Sequence, residues 1–361
     1  MATRADGRST RATNALSWWT AFAHDGHRNG TPMTTPYSTE NTQRRYGPDC
    51  TQPFLATTAG LFGACIVCCL LWGSAIPCIK IGYSLFNVSA TDPASQLLFA
   101  GIRFSIAGAM VIVGMSLAGR RFLRPSLRDV RPIVLLALFQ TIGQYVFYYL
   151  GLSRASGVTT SIVGASSSFI AILLAALAFR TERLSARKVL GCLVGFAGVA
   201  AIELGGMAPG SHLSFSLGGE GLILLSATSN AMSTCLIGIF SKKHDPVLLS
   251  GWQFLTGGIV ITVCALVAGG HLDPSAPAPG VALLTYMGFI SAMAYSLWSR
   301  LLAVNPVSRV TVFGFMTPVF GFLLSVVLLD EGSLVSPVLA AVALGLVSMG
   351  IVIVNQPERE S

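Results

Sequence analysis

Ten long apolar stretches constrain the fold of this chain more than any other feature of its sequence. Each has about the 20 residues that an α-helix needs to cross a hydrocarbon core about 30 Å thick. Their borders are 57–80, 95–118, 132–152, 157–179, 187–205, 218–240, 247–269, 279–301, 307–329 and 334–354. The stretches are continuously apolar, whereas the strands of a membrane β-barrel alternate between apolar and polar residues. The pattern predicts an all-α integral membrane protein with ten transmembrane helices.

The charge content excludes the soluble classes of protein. Only 11% of the 361 residues are charged and 53% are hydrophobic, whereas a soluble domain has about 25% charged residues. So few charges cannot cover the water-facing surface of a soluble fold of this length. We therefore expect the lipid bilayer as a partner, and no nucleic acid in spite of the net charge of +8.

The positions of the basic residues predict the orientation of the helices. Loops that carry Lys and Arg stay in the cytoplasm. If the N-terminus is cytoplasmic, then only Lys80 and Arg154 lie on the outer side among the loop cations beyond residue 56. The opposite orientation inverts this bias, so we expect both termini in the cytoplasm. Arginine greatly outnumbers lysine, which favours GC-rich coding and the inner membrane of a bacterium as the plasma membrane concerned.

Polar segments flank the apolar part of the chain. Residues 1–56 are rich in Arg, Thr, Ser, Asn and Gly and contain no apolar run of spanning length, a composition typical of disorder. We predict a disordered cytoplasmic tail over 1–56 and a short cytoplasmic tail over 356–361. Met33 offers an alternative start of translation, and residues 1–32 are then not part of the protein.

Two sequence motifs recur at a spacing of about 150 residues. An Asp-Pro pair precedes the second helix at Asp92 and the seventh helix at Asp245. Residues 161–164 (SIVG) resemble residues 311–314 (TVFG). These matches predict two copies of one five-helix unit.

The two copies, 57–205 and 206–355, are expected to be inverted, because five is an odd number of crossings. The loops agree, since the loop after the fourth helix is basic (180–188), while Asp330 and Glu331 follow the ninth helix. Inverted repeats around a site near the bilayer midplane are typical of secondary transporters.

At this level of detail the sequence resembles the drug/metabolite transporter superfamily, EamA-domain type. The resemblance covers residues 57–355 and is carried by an ordered set of residues: Trp72-Gly73-Ser74, Lys80, Arg103-Phe104, Glu182, Thr317-Pro318 and Asp330-Glu331. It implies export or exchange of small metabolites. The two copies differ at two places. The first copy has Ser167-Ser168 where the second has Thr317-Pro318, and the second has Gln253 where the first has Arg103.

Arg103 is the charge that the pattern places deepest in the bilayer. An Arg near a helix centre costs about 2.5–3.5 kcal/mol on insertion scales, so we expect it to face the bundle interior. No Asp or Glu lies at similar depth in the sequence. Its partner is then a backbone carbonyl, a polar side chain or a substrate carboxylate, and a structural clamp between helices stays open beside a binding role.

The remaining candidate residues are neutral. Amide side chains in a bilayer must be paired, so they should point inward. We predict as substrate-binding residues Trp72, Arg103, Gln140, Gln144, Tyr145, Asn230 and Gln253. Three residues interrupt the helical pattern and are candidates for gating or for tolerated kinks: Gly73, Pro77 and Pro318. Three more aromatic residues are typical of anchors at the membrane interface: Tyr148, Tyr149 and Trp298.

The glycines of the fifth and tenth helices indicate close packing. They form a homodimer face or pack on each other within one chain: Gly191, Gly195, Gly198, Gly345 and Gly350. The Cys residues of the first helix are expected to be small core residues, not metal ligands. The sequence has no phosphate-binding Gly-Lys-Ser/Thr loop and no His-Glu-x-x-His, so we expect no cofactor.

These features predict a secondary transporter that exports or exchanges a small zwitterionic or neutral metabolite, with an amino acid favoured. Efflux of lipophilic cations is the first alternative, although a cation site usually needs a membrane carboxylate. An intramembrane enzyme needs a nucleophile, a base and an orienting group, and no His lies at the depth of the helical Ser residues. A membrane scaffold would not need the internal polar side chains.

Overall fold

The computed structural model describes residues 52–89, 91–120, 122–152, 154–155, 157–205, 216–273, 277–329 and 337–356. The predicted tail up to residue 51, the pair Asp330-Glu331 and the residues from 357 onward lie outside this part of the chain. The last residues assigned to the tail, Gln52–Ala56, form a short helix.

Ten helices of the described part are long and apolar enough to cross a membrane, which confirms the predicted fold class. We number them α1 to α10 in chain order: Thr58–Leu85, Pro93–Ala118, Leu127–Leu152, Thr160–Ala178, Ala186–Gly205, Glu220–Phe240, Pro246–Val267, Pro277–Val304, Val307–Leu328 and Val338–Asn355.

The repeated Asp-Pro motif builds the same helix start in both halves. The Oδ1 atom of Asp92 accepts hydrogen bonds from the backbone amides of Ala94 and Ser95, at 3.1 and 3.2 Å. Asp245 caps α7 in the same way, through two amides at 2.8 and 3.0 Å. An Asp at the N-cap satisfies amides that the helix cannot pair, and Pro at the next position fixes the first turn.

Corresponding helices of the two halves pack against each other, α2 on α7 and α5 on α10. Glycine makes these approaches close, because a methyl group on Gly108 would lie 2.3 Å from the Leu255 amide nitrogen. On α10, a methyl group on Gly350 would lie 2.5 Å from the Gly191 carbonyl oxygen. Gly191 of α5 and Gly350 of α10 therefore pack on each other within one chain, whereas Gly345 has open space around it.

The irregular backbone lies in α3 and α9, and not at Gly73 and Pro77 of α1. Helix α1 runs through Gly73 and Pro77 without interruption; Gly73 is a packing residue, since a methyl group there would lie 2.8 Å from the Cβ of Phe320. Helix α3 contains a π-helical segment, Ala137–Gly143. Helix α9 contains a 3₁₀ segment, Val312–Phe315, shortly before Pro318.

Candidate substrate-binding site

A cavity of about 310 Å³ lies between the helices, within the size range of small-molecule sites. Its walls come from α1, α2, α3, α4, α6, α8 and α9. It extends from Thr160, at the start of α4, to Thr311 in the first turn of α9. Because α4 and α9 start at opposite ends of the bundle, the cavity crosses its middle.

Most of the predicted site residues meet at this cavity. Six of the seven candidates for substrate binding line it: Trp72, Arg103, Gln140, Gln144, Tyr145 and Asn230. Pro318 lines it as well, whereas Gly73 and Pro77 do not.

Gln253 lies behind the cavity wall, which differs from its predicted position in the lining. Its side chain is fully buried. The Nε2 atom donates to the Gln140 Oε1 atom at 3.0 Å, and its Oε1 atom accepts from the Thr141 hydroxyl at 2.7 Å. Both ends of the amide are thus satisfied by neighbours on α3, and Gln253 holds Gln140 in place.

Arg103 brings a positive charge to the cavity, and it is the only side chain with a formal charge among the described residues that line it. Its exposed fraction is 5%. The guanidinium carbon lies 4.4 Å from the ring centroid of Phe104 and 5.7 Å from that of Tyr145. Rings at this distance stabilise a cation, but they do not use its donors, and the buried Nε atom has no hydrogen-bond partner in the described part.

Aromatic rings form the wall near Arg103. Trp72 lies 5.0 Å from Tyr295 and 4.9 Å from Trp298, measured between ring centroids. The hydroxyl groups of Tyr145 and Tyr295 are 3.1 Å apart. Such a wall offers π-faces to a ligand ammonium and apolar area to a ligand side chain.

Three aromatic residues predicted as interfacial anchors belong to this cavity instead. Tyr148, Tyr149 and Trp298 all line it, and Tyr149 is 1% exposed. An aromatic residue on a membrane helix looks alike in sequence whether it faces headgroups or a cavity. Only the packing of α3 and α8 against their neighbours separates the two.

Several buried polar atoms of the cavity lining lack a partner in the described part of the chain. Besides the Nε atom of Arg103 they are Trp72 Nε1, Gln144 Oε1, Thr160 Oγ1 and Thr317 Oγ1. Buried polar groups are normally hydrogen-bonded. The set contains donors and an amide acceptor, so it fits a ligand that has both acceptors and donors.

Glu203 is a carboxylate that the sequence reasoning did not select. It lies near the end of α5, half-buried and close to Ser161. Ser161 lines the cavity, so this carboxylate stands one residue behind the wall, nearer the end of the bundle than Arg103. Glu203 lies two residues before the last residue of α5, so the sequence did not indicate that it lies within the membrane.

Comparison with known proteins assigns the chain to a family. A model of the EamA-like transporter family matches residues 58–204 and 217–356. The chain belongs to this family. The family model thus matches the chain twice, once in each half.

Relatives of this EamA-like chain are known from plants and bacteria. A WAT1-related chloroplastic protein of Arabidopsis thaliana is 26% identical over 80% of this chain and 67% of its own. An uncharacterized transporter of Synechocystis is 28% identical over 80% of this chain and 88% of its own. A crystal structure with 21% identity matches with a TM-score of 0.64 over 81% of this chain and 95% of the other, which supports the fold.

The family and its relatives define the class of protein. The EamA-like chain is a multi-pass membrane protein and a transporter of the drug/metabolite type, not an enzyme.

Proposed function

We propose that this protein is a secondary transporter that moves a small zwitterionic metabolite, an amino acid above all, out of the cytoplasm by alternating access. The observation that carries the proposal is the buried guanidinium of Arg103, with an unpaired donor, in a cavity walled by aromatic rings.

Arg103 supplies the site for a carboxylate. Guanidinium and carboxylate groups form strong, charge-assisted hydrogen bonds. Among the described lining residues, no acidic side chain competes for this role. A substrate carboxylate would pair the buried charge, which is costly to leave without a partner.

The aromatic wall of the site suits an ammonium group. The faces of Trp72 and Tyr295 can attract a cation by about 0.5–2 kcal/mol, and the unpaired Oε1 atom of Gln144 can accept an N–H bond. Attraction at both ends favours a zwitterion. The alternative, efflux of lipophilic cations, is disfavoured because such a cation would meet the Arg103 charge and no carboxylate in the described lining.

The inverted repeats support alternating access, since they can exchange two conformations around one central site. The loop cations support a plasma-membrane protein with both termini in the cytoplasm. The end of the bundle at which α4 and α8 end is then cytoplasmic.

Thermal unfolding of the purified protein in detergent tests the substrate class. The panel contains amino acids, nucleosides, sugars and lipophilic cations. A ligand at 100 times its dissociation constant adds about 2.7 kcal/mol of stability. We expect an amino acid to stabilise the protein, and the shift to disappear in Asn230→Leu but not in Arg120→Gln, which changes an exposed loop residue. Stabilisation by lipophilic cations alone would overturn the proposal.

A further inference from the structure

A buried carboxylate joins the two repeats at one end of the bundle. Glu182, in the loop after α4, accepts the backbone amide of Ser308 at 2.9 Å and also its hydroxyl group. Lys188 donates to the same carboxylate at 3.0 Å. Ser308 is fully buried and the Glu182 side chain is 8% exposed.

The contact caps a helix of one repeat with a side chain of the other. Ser308 lies in the first turn of α9, whose backbone amides have no partner within the helix. The N-cap residue, Pro306, has no side-chain group that can accept a hydrogen bond from these amides. The negative charge of Glu182 is also favourable at a helix N-terminus. The start of α9 therefore depends on the first repeat.

The first turn of α9, Val307–Thr311, has a cavity on each side. Thr311 lines the candidate substrate site. Val307 and Glu182 line a second cavity, of about 430 Å³, at the end of the bundle where α8 ends. Lys188 and Lys242 add positive charge to the second cavity, which suits the passage of a carboxylate-bearing molecule.

A change in helix type follows this turn directly. The chain passes from α-helix at Val307–Thr311 to a 3₁₀ segment at Val312–Phe315, and back to α-helix at Met316. A 3₁₀ stretch within a helix often marks a hinge, because its hydrogen bonds are poorer than those of an α-helix. The first turn can therefore move without the rest of α9.

We propose that the turn Val307–Thr311 is the gate between the two cavities, that Val312–Phe315 is its hinge, and that Glu182 is the latch that holds it shut. The latch presupposes the alternating access of the proposed function but not its choice of substrate. When Glu182 releases Ser308, the turn swings on the 3₁₀ segment and the substrate site opens to the second cavity.

Cysteine accessibility tests the latch without any substrate. Thr311→Cys is placed in a background without the native cysteines, in proteoliposomes of one orientation, and labelled with a membrane-impermeant maleimide from the side of the second cavity. Hydrogen bonds to a charge are strong, so we expect Glu182→Ala to speed labelling about tenfold or more. Ser308→Ala, which keeps the amide bond, should give a smaller increase.

Glu220 provides the matched control. Its carboxylate accepts hydrogen bonds from the amide and the hydroxyl of Ser216, at 2.9 and 3.0 Å. This contact resembles that of Glu182 with Ser308, but it lies within one repeat and at the other end of the bundle. Glu220→Gln should leave the labelling of Thr311→Cys unchanged. Equal labelling in the Glu182→Ala and native backgrounds, with the Glu182→Ala protein still eluting as a single folded peak, would overturn the latch. That result would not bear on the proposed substrate class, which the thermal-unfolding experiment tests separately.

Discussion

Replacement of Arg103 by methionine separates a substrate-binding role from a structural clamp. Methionine has a similar length but no charge and no donor. A clamp would lose bonds that stabilise the empty protein. A binding residue would instead lose an unpaired buried charge, and the empty protein would become more stable.

The structure sets the size of this effect. Removal of the buried Nε donor, which has no partner, should stabilise the folded protein by about 1–3 kcal/mol. Loss of the cation–π contacts with Phe104 and Tyr145 removes about 0.5–1 kcal/mol. The net gain is therefore about 0–2.5 kcal/mol, and the empty Arg103→Met protein should unfold at a temperature equal to or a few degrees above that of the native chain.

Ligand binding should change in the opposite direction. A hydrogen bond to a charged group contributes about 1.5–3 kcal/mol, which corresponds to an affinity about tenfold to a hundredfold weaker. Thermal unfolding with and without the stabilising amino acid measures both effects, and Arg103→Lys, which keeps the charge, should retain part of the ligand shift. An empty Arg103→Met protein that is less stable by more than about 1 kcal/mol would refute the reasoning and favour the clamp.

Three further predictions concern stability and the support of the site. Gly350→Ala should destabilise the protein by about 1–3 kcal/mol, because the added methyl group meets the backbone of Gly191. Gly345→Ala is the control: this glycine has open space around it, so the change should be neutral or slightly stabilising. Equal melting temperatures of the two variants would contradict the packing of α5 on α10. The hydrogen bond from Ser95 lowers the pKa of Asp92, so its stabilising effect is present above the unfolded pKa of about 3.9 and is lost as pH falls through the folded value. Asp92→Ala should thus cost about 1 kcal/mol near pH 7 and less at pH 3, and a penalty that grows in acid would count against the cap. Gln253→Leu should cost about 1–3 kcal/mol in unfolding experiments and weaken ligand binding; unchanged binding would show that Gln140 needs no support.

The elements of this fold are local properties, which is why the sequence predicts them. An apolar run of spanning length must form a helix in lipid, since each backbone amide needs a partner there. The Asp-Pro motifs at Asp92 and Asp245 fix helix starts through atoms two or three residues away. The inward position of Arg103 and of the amides Gln140, Gln144 and Asn230 follows from the same energetic rule.

The partner of each inward side chain is a tertiary property. Gln253 and Gln140 obey the same rule, yet one satisfies the other and only Gln140 reaches the cavity. Trp298 has the sequence signature of an interfacial anchor but packs on Trp72 in the cavity wall. Nothing near Glu182 in the chain points to Ser308, which lies 126 residues away.

The apolar runs determined the ten helices, the recurring motifs indicated the repeat, and the polarity of single side chains determined which residues must avoid lipid. Only the packing of one repeat on the other decided which of those residues face the cavity and which support its wall. The physical reason is that burial of a polar group sets a requirement for a partner, while the identity of the partner depends on which helix is placed opposite.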